Sequence, residues 1–448
     1  MDLYRALHAV LPTGTAPAAI AVESGRIVAI HPFDVSTDGM DRVIDVAGTL
    51  APGLVDTHVH VNEPGRTHWE GFDTATKAAA AGGVTTIVDM PLNSIPPTTS
   101  VVGFDAKKAS ARPQVYVDVG FWGGAVQNNA EHLAGLHEAG VLGFKAFLCE
   151  SGVDEFKNVD EAALDRTLKQ CAELGALLIV HAEHPGPLHD AEHHVHDHEA
   201  TDHASWLATR PREAEDRAIA LLLEGVRKHG TRTHVVHLSS ASALPLLQQA
   251  KREGLPLTAE TCPHYLCLAH EDIPAGGTQF KCAPPIRERS NQDKLWAALA
   301  DGTLNMVVTD HSPAPEDLKR LDSGAFPCAW GGIASVQLGG RSMWTHYSRR
   351  GGSFDDIIRW MALGPAELVG LSHKGRIEVG ADADFAEWNL DIVETIDPTT
   401  LLHRHPITPY AGSTLRGRVQ RTWLRGSLIY DNGVFPGAPS GALLKRTS

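Results

Sequence analysis

Cysteine is scarce in this chain: six residues, at 149, 171, 262, 267, 282 and 328, with no CxxC pair among them. A disulfide framework or a cysteine-held metal is therefore not expected, and the thiols are read as reduced. No stretch approaches the roughly 18 apolar residues that a membrane helix needs. The opening Met1-Asp2-Leu3-Tyr4-Arg5 also lacks the layout of a signal peptide, so a cytoplasmic protein with no membrane partner is expected. Basic residues are outnumbered, 39 against 54 acidic, and the net charge of -15 argues against binding nucleic acid. There is no GxGxxG run after a first strand, no P-loop and no GxSxG elbow, which removes support for dinucleotide redox chemistry, nucleotide hydrolysis and a serine nucleophile. What remains is a core-forming composition, 43% hydrophobic and 21% charged over 448 residues, with a generous 25 His. The expected partner is a small molecule.

The first fifty residues alternate short apolar runs with turns, as in 19–22, 26–30 and 43–46, and the C-terminal stretch repeats the style at 375–385 and 419–426. Both ends read as β-structure. Because termini often lie together, residues 1–50 and 376–448 are expected to form one small composite β-sandwich domain. Between them, strand-like runs recur at 53–61, 85–92, 116–123, 143–148, 178–183, 233–239, 257–266 and 306–312. Helical patterns separate them, including 72–81, 160–174 and 217–229. Alternating strands and helices imply a parallel sheet, and eight repeats imply closure as a (β/α)8 TIM barrel over residues 51–375. In such barrels the chemistry sits at the C-terminal ends of the strands.

Those ends are rich in metal donors. The first run ends Asp56-Thr57-His58-Val59-His60, and two His at i and i+2 project to one face of a strand. The fifth carries His181, the sixth His237 and the eighth Asp310. A lone His on an apolar strand is usually a core residue; four His and one Asp on strands that converge on one axis point to metal. Lys145, in Phe144-Lys145-Ala146-Phe147, should also face the barrel interior, where an unpaired ammonium is costly. Pairing with a carboxylate would satisfy it. A second answer is addition of CO2 to give a carbamate, an anion that would bridge two divalent ions. Such a pair could share a hydroxide and polarise a carbonyl. Asp310 would then act as the catalytic residue, moving a proton to the leaving nitrogen. Zinc, cobalt, manganese and nickel all suit these donors.

With these residues in place, the chain resembles the amidohydrolase superfamily and, within it, the cyclic amidohydrolases. The similarity runs nearly end to end and is carried by 53–65, Asp89-Met90-Pro91-Leu92-Asn93-Ser94, Phe144-Lys145-Ala146-Phe147, His181-Ala182-Glu183, Thr261-Cys262-Pro263-His264-Tyr265-Leu266, 281–287, Thr309-Asp310-His311-Ser312-Pro313 and Trp330-Gly331-Gly332-Ile333. The resemblance implies the barrel with its small β domain, His58, His60, Lys145, His181, His237 and Asp310 as ligands of a binuclear centre, a carboxylated Lys145 and a homotetramer. It also implies hydrolysis of a cyclic amide. Dihydroorotase-like members carry an Arg two residues after the HxH and an Asn before the paired prolines; this chain has Asn62 and Ala283. Dihydropyrimidinases and hydantoinases place a Tyr where Glu150 stands. These departures favour a hydantoin ring with a polar ureido arm, that of allantoin, opened to allantoate, as in purine catabolism. A hydantoinase or dihydropyrimidinase acting on other cyclic amides is the alternative. By resemblance Asn93 and Ser312 bind substrate, with Ser151 and Asn62 weaker candidates. Members of the allantoin-opening kind often have Cys where this chain has Ala314, a departure without an evident consequence.

The tract His189-Asp190-Ala191-Glu192-His193-His194-Val195-His196-Asp197-His198 is read as a solvated loop rather than a metal site. His264 is expected to pack behind the site, and His311 to face away from it.

Overall fold

The computed structural model describes residues 1–192 and 199–446, and most of the histidine-rich tract, 193–198, lies outside them. The chain opens with four strands: β1 Asp2–Leu11, β2 Gly14–Glu23, β3 Arg26–His31 and β4 Arg42–Pro52. They join β14 Phe385–Thr395, β15 Thr414–Leu424 and β16 Ser427–Asp431 from the other end in one seven-stranded sheet, ordered β16-β15-β14-β4-β1-β2-β3. Its core face gathers Tyr4, Ile20, Val22, Ile27, Phe385 and Trp423. Its other face is partly covered as well: Ala386, Trp388 and Val419 pack into the barrel core, and Leu3, Ala19 and Ala21 form a small cluster of their own.

Barrel strands follow: β5 Leu54–Val59, β6 Val84–Asp89, β7 Asp118–Phe121, β8 Gly123–Gly124, β9 Phe144–Phe147, β10 Leu178–His181, β11 Thr233–Val235, β12 Leu257–Thr261 and β13 Met306–Val307. Every neighbouring pair is parallel. Trp122 separates β7 from β8, which makes them two parts of one strand. Closure comes from a parallel bridge between Val59 and His311, with the His60 amide donating to the His311 carbonyl at 2.8 Å. The result is the α/β barrel with a small β domain.

Helices cover the strands, including Phe72–Ala81, Glu161–Leu174 and Arg212–His229. Asp160 caps the second by accepting from the Ala163 amide, and Gly175 and Gly230 end the second and third in the left-handed conformation that glycine adopts without penalty. β4 passes into β5 through Gly53, where a Cβ would lie 2.1 Å from the Thr85 hydroxyl; only glycine lets the first barrel strand approach its neighbour so closely.

A buried ionic joint ties the two sheets together. Lys374 Nζ donates to Asp118 of β7 at 2.6 Å, Asp384 at 2.7 Å and Asp382 at 2.8 Å. Arg425, beside the β15–β16 turn, also pairs with Asp118. Burial alone would lower the Lys374 pKa, but the three carboxylates outweigh it and hold the ammonium charged.

Several strands are shorter than the apolar runs suggest: the run over 306–312 is a strand only at Met306–Val307, with His311 adding isolated bridges, and that over 257–266 turns helical at Pro263–Cys267. At the strand ends the backbone leaves the ladder to present polar side chains. Asn62, Asn93, His237 and Asp310 all have positive φ, between 40° and 66°. Such conformations cost energy in non-glycine residues and gather at functional sites.

Candidate active site

The strand ends meet in a cavity of about 220 Å³ at the C-terminal mouth of the barrel. His58, His60, Lys145, His181, His237 and Asp310 all line it, as do Asn93, Ser151 and Ser312. Asn62 does not line it; its side-chain oxygen and nitrogen are buried without a partner among the described residues.

The donors fall into two clusters. In one, Asp310 Oδ1 lies 3.1 Å from His58 Nε2 and 3.5 Å from His60 Nε2. In the other, His181 Nδ1 and His237 Nε2 are 3.0 Å apart. The His58 and His237 rings lie 5.3 Å apart, which brings the clusters side by side. Burial, then the neighbouring Lys145 and imidazoles, holds the His58 pKa well below its usual value; burial, then His181 and Lys145, does the same for His237. Burial also lowers His181, against the pull of Glu183. Neutral imidazoles are what a cation requires.

Their far sides are anchored. His58 Nδ1 lies 2.7 Å from Glu260 Oε1, and Glu260 Oε2 lies 3.1 Å from His234 Nε2. His181 Nε2 lies 2.7 Å from Glu183 Oε2, which also accepts from Arg210. A carboxylate on one ring nitrogen fixes the proton there and leaves the lone pair of the other facing the cavity. Despite its burial, Glu183 is held down to about 2 by Arg210 and His181. Asp56 braces the base: it accepts from the His58 amide at 3.1 Å and from the Thr309 amide and hydroxyl, while burial pushes it up to about 7.

Lys145 is fully enclosed, and burial lowers its pKa to about 8 even though Asp310 and Glu260 oppose the shift. Among the described residues it makes no ion pair, so pairing with a carboxylate, the first option raised by the sequence, is not what satisfies it. The donor set therefore fits a pair of cations: neutral nitrogens with inward lone pairs, one carboxylate, and an amine whose charged form is disfavoured.

Other residues divide. Asn93 Nδ2 lies 3.5 Å from His60 Nδ1, while its oxygen, beside the cavity, is buried without a partner among the described residues. Ser151 is committed to its own loop, donating to the Phe156 carbonyl at 2.6 Å. His311 accepts from the Ser335 amide at 3.0 Å and faces Glu70 at 3.5 Å, on the side away from the donors. His264 is buried, with neither ring nitrogen partnered among the described residues, and burial lowers it to about 4. The sequence reading assigned no role to Glu260, Glu183, Arg210, Trp206 or Lys281. A glutamate inside an apolar strand, as in Leu257-Thr258-Ala259-Glu260-Thr261, is the signal that could have found the first.

Comparison with known proteins agrees with this geometry. The amidohydrolase family matches residues 49–429, and the chain belongs to that family. Its relatives include the allantoinase of Streptomyces avermitilis, 53% identical over 445 residues that cover 99% of this chain and 98% of that one. The allantoinase of Saccharomyces cerevisiae is 44% identical and covers 95% of this chain and 94% of its own. Among solved structures, the L-hydantoinase (dihydropyrimidinase) from Arthrobacter aurescens superposes with a TM-score of 0.95 at 29% identity, covering 99% of each chain. The family implies a metal centre in a hydrolase acting on a small molecule. Among the described residues, no helix is long and apolar enough to cross a membrane.

Proposed function

We propose that the chain opens the hydantoin ring of allantoin by hydrolysis, giving allantoate. The observation that carries this reading is the 53% identity to an allantoinase across 99% of the chain. His58, His60, Lys145 as its carbamate, His181, His237 and Asp310 are assigned to hold two divalent ions, with zinc as the resident metal. When bound, such a pair supplies Lewis acidity, acidifying water and polarising the ring carbonyl. The rest falls to the chain's own groups. Asn93 and Ser312 hold the ring by hydrogen bonds; an Asn93 oxygen left without a partner among the described residues supports its role as an acceptor for a ring N–H. Asp310 takes one proton from the attacking water and returns it to the ring nitrogen, and the water's second proton leaves to solvent as the acid product ionises. One C–O bond forms as one C–N bond breaks, leaving a carboxylate and a ureido group. Glu260 and Glu183 keep His58 and His181 oriented throughout. A homotetramer and a cytoplasmic setting complete the reading; the family resemblance supports the first, and the lack of a disulfide among the described residues accords with the second.

A hydantoinase or dihydropyrimidinase is the second reading, favoured by the superposition on the Arthrobacter enzyme. One metal-loaded preparation assayed with allantoin, 5-substituted hydantoins, dihydrouracil and dihydroorotate separates the two. Allantoin is expected to turn over fastest, and comparable rates on dihydrouracil would overturn the proposal.

A further inference from the structure

Two buried lysines outside the donor clusters lack a counter-ion among the described residues. Lys281 is 5% exposed and Lys319 only 2%. Among the described residues neither has a carboxylate within ion-pairing distance. Lys281 Nζ donates to the carbonyls of Pro327 at 3.2 Å and Ala329 at 2.7 Å, and lies 4.1 Å from the centre of the Trp206 ring. Lys319 Nζ donates to the carbonyls of Trp330, at 3.2 Å, and Gly332. The main chain returns the grip: the Gly332 amide donates to the Lys281 carbonyl at 2.8 Å, and the Trp206 indole N–H to the Cys282 carbonyl at 2.9 Å.

Burying an unpaired ammonium is expensive, and a Met would fill the same space at less cost. An ammonium does one thing Met cannot: it is a compact source of three donors that can hold several carbonyls at once. Here four carbonyls of one short segment are held by two such groups, and the segment is no ordinary loop. Trp206, Lys281, Ala329, Trp330, Gly331 and Gly332 all line the cavity. A reacting ring carbonyl must sit at the donor clusters, so whatever the ring carries has to lie against the remaining lining.

We propose that Lys281 and Lys319 are positioning residues for substrate recognition. They hold the 327–332 main chain and Trp206 as a preformed wall against which the ring substituent rests, and the charge they carry when protonated makes that wall refuse cationic substituents. The substituent's identity rests on the proposed function; the wall does not. Burial lowers Lys281 to about 7, with Arg210 and Lys319 adding to the shift, and lowers Lys319 to about 8, so the pair is charged in part near neutrality and more fully as pH falls.

The test compares wild type with Lys281→Met and Lys319→Met, with Lys281→Gln as a milder change should a Met variant fold poorly. It reads kcat and KM for allantoin, unsubstituted hydantoin and a hydantoin bearing an aminoalkyl arm, together with amide hydrogen exchange over 327–332. Loss of a charged hydrogen-bonding group predicts KM for allantoin raised about tenfold or more, with kcat within about threefold. KM for unsubstituted hydantoin should move far less, discrimination against the aminoalkyl arm should relax, and exchange over 327–332 should accelerate. Parallel changes for all three rings, or unchanged exchange, would overturn the proposal. If the wild type opens hydantoins but not allantoin, the functional reading fails, while the exchange result and the aminoalkyl preference still decide the role of the lysines.

Discussion

Glu260 touches no cavity space, yet it sets what His58 can do. Its Oε1 lies 2.7 Å from His58 Nδ1, and replacing it by Gln should turn or loosen the imidazole while keeping its volume. Partners of this kind are worth roughly 10 to 100-fold in metal affinity, so Glu260→Gln should weaken metal binding by about that factor in a metal-buffered titration. Asp310 belongs to the reaction itself. A group that carries a proton contributes roughly 10²- to 10⁴-fold, so Asp310→Asn should lose about that much kcat while melting near the wild-type temperature. Residue-level reading of the sequence reached the donors because each stands within a few positions of an apolar strand, where the i, i+2 rule tells which face it uses. Glu260, Glu183 and Lys281 escaped it. Their significance lies in contacts between segments far apart in the chain, and spacing does not encode those.

At the scale of elements, the barrel strands were legible because helices cover them and make them continuously apolar, whereas their ends were not. Residues 308–312 read as strand because Val308 and Thr309 suit one, but Asp310 adopts a φ of 46° and leaves the ladder. The ionic joint was equally hidden, since Asp118, Lys374, Asp384 and Arg425 come together only in the folded chain. Removing Lys374 would leave three buried carboxylates crowded together without their main counter-charge. Breaking a buried network in this way costs roughly 3 to 5 kcal/mol, so Lys374→Met should lower the melting temperature markedly in calorimetry. The kcat of the molecules that remain folded should be unchanged, because the joint lies at the N-terminal end of β7, away from the cavity.

At the scale of the whole molecule, the seven-stranded sheet holds the two ends of the chain against the barrel. The alternating patterns at both termini foretold strands; that they share one sheet, with β4 continuing into β5, is set by long-range pairing. Acid should undo this assembly in a defined window. Burial lowers His203, His264 and His403 from 6.5 to about 4. Their folded-state pKa values lie below the unfolded ones, so the unfolded chain takes up protons first as pH falls. The stability they contribute is complete above about pH 6.5, declines between 6.5 and 4, and falls no further below that, which melting temperatures in a buffer series at fixed metal concentration should show. The central claim, that these parts form an enzyme for the allantoin ring, is tested most directly by turnover. Wild type and Asp310→Asn, matched for metal content, are given allantoin and dihydrouracil, and the newly formed carboxylate is followed. The account predicts rapid conversion of allantoin to allantoate by the wild type, little by the variant, and slow opening of dihydrouracil by either. Equal rates on the two rings, or an Asp310→Asn protein as active as the wild type, would contradict it.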